Sequence, residues 1–273
     1  MPDPILIRLT QPELELLMHS LNIASLPGIA DDLLVGLNEE QQKGARASAE
    51  QTLRARRFVG WDSDLQRVIN PLLANLLLDY ALPTATLFVD TGLPAGRATP
   101  FLYVRGQQGI YEQCQPEPDI LQFRVLSNSE ELERRLSPHL PEERFAQPEH
   151  WQGRIMQRLL SNVLRLVSRD ENSARRYFEA VLPSELAQAL AVAYHAPRAV
   201  QYIACWHTIP TKEHPAPRAA LTILQGSEHA FLLWVEEPER REAAMVHVEP
   251  FLTASLSKYI KKIVPLFMEE IHK

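Results

Sequence analysis

The residues best suited to chemistry in this chain lie close together in its second half. Cys205 and His207 are separated by Trp206, and His214 follows seven residues later. Residues i and i+2 of a strand share a face, so a strand continuing through His207 would present a thiol and an imidazole side by side, with His214 arriving from the next loop. Thiolate and imidazole are zinc ligands, but a zinc centre takes three or four protein donors, and neither a CxxC nor an HxxxH pair accompanies these three. A buried strand cysteine with two loop histidines accounts for the same residues. Cys205, His207 and His214 therefore define the candidate region for a metal- or ligand-binding enzyme, set against a purely structural use. Ser255-Leu256-Ser257-Lys258 matches the Ser-x-x-Lys of penicillin-binding proteins, in which a lysine sits one helical turn from a nucleophilic serine. The companion Ser-Asp-Asn and Lys-Thr-Gly motifs are missing, and Lys258, Lys261 and Lys262 read instead as a solvated helix face.

The sequence contains no Gly-x-Ser-x-Gly, His-Glu-x-x-His, Gly-x-Gly-x-x-Gly or Walker A motif. The carboxylate pairs Glu130-Glu131, Glu142-Glu143 and Glu236-Glu237 fall at helix starts or turns, where solvation and the helix dipole explain them. Arg54, Arg56 and Arg57 suit the C-terminal end of a helix better than a phosphate site. The reading is a non-enzymatic protein with no cofactor. Ten glycines against 21 prolines agree with this, because glycine is what lets backbone amides wrap a phosphate.

The elements that must carry these residues follow from patterning. With 273 residues, 45% hydrophobic and 23% charged, the chain is long enough for one large core or two packed ones. A net charge of -6 provides no basic footprint for nucleic acid. No signal-like leader and no apolar run of spanning length is evident, and two cysteines fit a reducing cytoplasm.

A short strand or an extended lead-in is expected over 5–9, followed by a helix opened by Thr10-Gln11-Pro12-Glu13 with Leu14, Leu17, Met18 and Leu21 on one face. A polar helix runs from Glu39 to about Phe58. A Leu-rich helix runs from Asp62 or Ser63 to Leu77, kinked or restarted at Pro71. Four strands follow (85–89, 101–104, 109–114, 120–126) and then a helix through Leu132 and Leu136. The Pro-rich stretch 137–150 divides the chain into halves 1–148 and 149–273. Helices over 151–167, 174–182 and 183–193 open the second half. Strands over 200–205, 219–224, 230–235 and 243–248 come next, with a final helix from Phe251 to Val264 broken by Pro265.

The halves read alike. Phe88 matches Ile203 at an offset of 115, Gly106 matches Gly226 at 120, and Phe123 matches Val246 at 123. The fold expected is α+β, a pseudo-twofold internal repeat whose central antiparallel sheet is flanked by helical bundles.

The span Thr10–Leu78 carries a resemblance. An opening helix with Glu13-Leu14 and Leu17 is followed by a Leu26-Pro27 break and a helix holding Ala45-Arg46 and Ala49. Leu53-Arg54-Ala55-Arg56 and Asp62, Asp64-Leu65 then precede a Leu-rich helix. Together with the run Ala230–Ile263, in which Val248-Glu249-Pro250 leads into the last helix, this pattern resembles the EspG family of type VII secretion chaperones. The resemblance implies a cytosolic, non-enzymatic chaperone or adaptor of pseudo-twofold fold that binds the tip of helical secreted proteins. Its contacts are expected on the two long loops at repeat-equivalent places, 90–100 and 206–217, with Leu93, Pro94, Arg97 and Trp206 as the candidate partner-binding residues. A structural homodimer, through an exposed sheet edge or the apolar Phe251, Leu252, Leu256, Ile260 face, is the remaining alternative.

Overall fold

The computed structural model describes residues 5–64, 66–90, 100–136, 148, 150–167, 170–208, 217–236 and 244–269. The chain divides into two units, Met1–Thr86 with Phe101–Asn128, and Leu87–Pro100 with Ser129–Lys273.

In the first unit, β1 (Leu6–Thr10) buries Ile7 and Leu9 and turns Leu6 and Arg8 outward. Thr10 ends the strand and caps α1 (Gln11–Ser20). Its hydroxyl accepts from the Glu13 amide, and the Glu13 carboxylate accepts from the Thr10 amide at 2.8 Å. Leu14, Leu17 and Met18 form the buried stripe of this helix. Glu13 is itself buried and pairs with Arg56 at 3.1 Å, while Arg56 also donates to the Arg8 carbonyl at 2.6 Å. Arg56 thus ties the end of α2 (Glu39–Ala55) to β1 and α1, beyond any role at the helix dipole.

The Leu-rich helix begins later than its periodicity predicts. Residues 59–69 form a hairpin of β2 (Val59–Trp61) and β3 (Arg67–Ile69), because the Asp62 carboxylate takes the amides of Asp64 and Gln66 at 2.9 and 2.8 Å and bends the chain. α3 (Pro71–Ala81) then starts with Pro71 in its first turn and Asn70 as N-cap, so this proline opens the helix and does not kink it. The unit continues into β4 (Ala85–Asp90), where the division between units falls after Thr86. It is completed by β5 (Phe101–Arg105), β6 (Ile110–Glu117) and β7 (Ile120–Leu126). Near its C-terminal end α3 places Asp79 against the β5–β6 turn. There its carboxylate accepts from the Gln107 amide (2.7 Å), the Gln108 amide (3.0 Å) and the Tyr111 hydroxyl (2.7 Å). Tyr80 next to it is fully buried, edge-on to Phe123 and Tyr111.

The second unit holds α4 (Ser129–Leu136), β8 (Gly153–Met156), α5 (Gln157–Val167), α6 (Glu171–Glu179) and α7 (Ser184–His195). It continues with β9 (Ala199–His207), β10 (Ala219–Gln225), β11 (Ala230–Glu236), β12 (Met245–Pro250) and α8 (Thr253–Met268). Residues 153–156 are an edge strand on β12, with Ile155 opposite Val246, and the helix expected from Trp151 begins only at Gln157. α8 continues past Pro265 to Met268.

The strands of this unit have two apolar faces. Phe231 and Leu233 join Leu224, Val246, Val248 and Ile155 in one core with α5, α6 and α7. Trp234, in register with Leu221 and through it with Ile203, faces the other way and meets Tyr259 of α8 at 4.9 Å between ring centroids.

All described strand pairings are antiparallel; in the first unit β1, β7, β6 and β5 are successive neighbours, and in the second β9, β10, β11, β12 and β8 are. This is an α+β fold with a repeated connectivity. An edge strand (β1 or β8), helices, a four-strand meander and a closing helix occur twice. The matched glycines occupy the same turn in both copies. Gly106 donates to the Gly109 carbonyl at 2.9 Å, and Gly226 donates to the His229 carbonyl at 2.8 Å.

Candidate partner-binding site

β9 continues through His207, so Cys205 and His207 do share a face and are both buried, while Trp206 points to the other face and is half-buried. Strand register places Cys205 opposite Ala219, in the set of residues that faces α8. From there His207 Nε2 lies 2.5 Å from the carbonyl oxygen of Leu266 in the last turn of α8. A carbonyl only accepts, so the ring proton sits on Nε2 and Nδ1 carries the lone pair. That lone pair faces Arg218 Nη1 at 3.4 Å, and the same guanidinium nitrogen pairs with Glu269 at 2.5 Å, just past the helix end. The last carbonyls of a helix have no partner within it. His207 and Arg218 together fasten this helix end to the start of β10.

Both imidazole nitrogens of His207 are thus engaged by protein groups. Among the described residues no cluster of three His, Cys, Asp or Glu side chains is arranged to hold a metal ion. His214 lies outside the described residues, as do Leu93, Pro94 and Arg97. Of the four residues chosen for partner binding, Trp206 is the one the structure places, at the sheet end from which the 208–217 connection leaves.

Beside the His207 fastening, the exposed side of α8 forms an open depression of about 580 Å³ lined by Lys261, Lys262, Pro265, Leu266, Met268 and Glu269. Lys262 Nζ stands over the Trp234 and Tyr259 rings at 5.6 Å from each centroid, a cation against two aromatic faces. An apolar floor rimmed by lysines is chemically suited to the end of an amphipathic helix bearing acidic residues. The spacing of these lysines on a helix was visible, but the depression depends on α8 extending beyond Pro265.

Among the described residues no helix is long and apolar enough to cross a membrane. No protein-family model matches the sequence, and no characterised protein is detectably similar to it in sequence. In structure the chain is similar to the type VII secretion system chaperone EspG5 of Mycobacterium tuberculosis, which was solved in complex with a PE25–PPE41 dimer. The match has a TM-score of 0.66 at 12% identity and covers 98% of this chain and 97% of that one. At that identity the two share a fold.

Proposed function

We propose that this protein is a non-enzymatic chaperone or adaptor of the EspG kind, binding a helical protein destined for type VII secretion and keeping it soluble in the cytoplasm. The observation that carries this reading is the likeness to EspG5 over nearly the whole of both chains, in a protein whose fold repeats one sheet-and-helix unit. The residues we assign to partner binding are Trp206 on the 206–217 connection and Leu93, Pro94 and Arg97 on the 90–100 connection, with the α8 depression, on the sheet face opposite Trp206, as a second candidate surface. A helix tip hiding an apolar stripe on such a surface would be protected from aggregation by the same contacts that select it.

Co-expression with small helical secreted proteins encoded near its gene tests the reading. A stable complex with one of them is expected, weakened by Trp206→Ala and by Lys261→Glu with Lys262→Glu. Failure of every such partner to co-purify would remove the chaperone reading.

A further inference from the structure

The two copies of the repeat differ at one place where the difference has chemical content. In the first unit the turn Gly106-Gln107-Gln108-Gly109 lies against α3, and Asp79 fills the space between them. Its carboxylate takes the Gln107 and Gln108 amides and the Tyr111 hydroxyl. Asp79 also sits directly over Gly106, where a Cβ would come within 2.3 Å of Oδ2.

In the second unit the turn is Gly226-Ser227-Glu228-His229, closed by the same hydrogen bond and laid against α7. The residue over Gly226 is Ala193, whose Cβ is 2.9 Å from where a Gly226 Cβ would stand. The counterpart of Tyr111 is Phe231, at the same offset of 120 that relates the two turns. The carboxylate and the phenol are therefore both gone. Ser227 and Glu228 lie at the surface, and their amides donate to no protein acceptor among the described residues.

A cavity of about 250 Å³ lies at this place, lined by Ala193, Gly226, Ser227, Glu228, His229 and Trp151 among others. Two further polar atoms at it are buried without a hydrogen-bond partner, Trp151 Nε1 and His229 Nδ1. Trp151 is only 8% exposed, and its ring packs edge-on to His229 with centroids 5.0 Å apart. Buried polar atoms without partners are uncommon in folded proteins, and these two stand beside two turn amides that no protein group takes, so four donors converge on one cavity.

We propose that the cavity between α7 and the Gly226–His229 turn is a binding site for a carboxylate, which stands where Asp79 stands in the first unit. The Ser227 and Glu228 amides donate to it as the Gln107 and Gln108 amides donate to Asp79. The indole N–H of Trp151 and His229 Nδ1, in its N–H form, supply the remaining donors. Glu185 and Glu228 at the rim disfavour a second negative charge, so the ligand is a monocarboxylate, either free or an acidic side chain of a peptide. This site does not depend on the chaperone reading, and either can fail without the other.

Amide NMR of the full chain titrated with sodium acetate against sodium chloride of equal ionic strength tests it. Saturable shifts are expected at the Ser227 and Glu228 amides and the Trp151 indole N–H. The Gln107 and Gln108 amides, already held by Asp79, should stay still. Ala193→Asp supplies an internal carboxylate and should abolish the response. Ser227→Pro deletes one donor at a turn position that accepts proline and should weaken binding about tenfold or more. It decides the matter if Ala193→Asp does not fold. An acetylated peptide with a single Glu, compared with its Gln form, separates the two sources. Binding that is tighter than acetate and lost in the Gln form assigns a protein side chain, and equal affinity for acetate and the Glu peptide assigns a free acid. Absence of saturation, equal shifts at Gln107 and Gln108, or undiminished binding by both variants overturns the proposal.

Discussion

Replacing Asp79 by alanine is the substitution whose consequence the structure defines most fully. The side chain is 8% exposed and serves three donors from α3, two turn amides and one phenol. Gln107 and Gln108 lie at the surface, so water can replace the carboxylate at their amides. The loss there is the net value of a hydrogen bond exchanged for water, about 0.5–1.5 kcal/mol each. Tyr111 is buried, and its stranded hydroxyl adds about 1–2 kcal/mol of unmet desolvation. Asp79→Ala should therefore destabilise by about 2–5 kcal/mol, which in a chain of this length is a fall in Tm of roughly 4–9 °C. Urea unfolding followed by circular dichroism measures the first figure.

A double-mutant cycle sharpens the test. Tyr111→Phe in the Asp79→Ala background removes the stranded hydroxyl and should restore about 1 kcal/mol, whereas Tyr111→Phe alone should destabilise. Faster amide exchange at Gln107 and Gln108 should accompany the loss of Asp79. A change below about 1 kcal/mol for Asp79→Ala, or strict additivity with Tyr111→Phe, would refute the view that this carboxylate organises the turn.

Other expectations follow from single contacts. Glu13→Ala removes both the reciprocal cap and the Arg56 pair and should cost about 3 kcal/mol, while Glu13→Gln keeps the cap geometry and should cost nearer 1 kcal/mol; denaturation midpoints compare them. His207→Ala should lose about 1–2 kcal/mol and accelerate hydrogen exchange in the last turn of α8, and unchanged exchange there would show that the Leu266 carbonyl is held by something else. Burial pushes the Tyr80 phenol up, and burial together with the Asp79 hydrogen bond does the same for Tyr111. Groups whose proton is held more tightly when folded stabilise fully below the unfolded value near pH ~10 and lose that contribution above it. Stability should accordingly fall above about pH 10, less steeply in Tyr111→Phe, as read from denaturant midpoints across an alkaline series.

Local signals in the sequence are enough to place many of the elements. Thr10 with Glu13, and Asn38 with Gln41, cap their helices by contacts within one turn, so those starts are legible without tertiary information. The alternation of the meander strands and the matched glycines at 106 and 226 are likewise local. They foretold the repeated connectivity of the sheet because side-chain period and turn chemistry are properties of a few adjacent residues. The α+β class followed from that connectivity.

Tertiary packing decided the rest. Residues 153–156 leave a helical pattern to pair with β12, since an edge partner outweighs propensity over four residues, whereas the β2–β3 hairpin is bent by a local signal, the Asp62 carboxylate, that helical periodicity overlay. Cys205 and His207 share a strand face as their spacing requires, but only the arrival of α8 directs His207 to the Leu266 carbonyl. Asp79 and Ala193 look unremarkable in the chain. Their meaning arises when each helix is laid on its turn, because donors from distant segments meet an acceptor in one copy and a cavity in the other. Spacing along the chain cannot encode what is brought near only by folding.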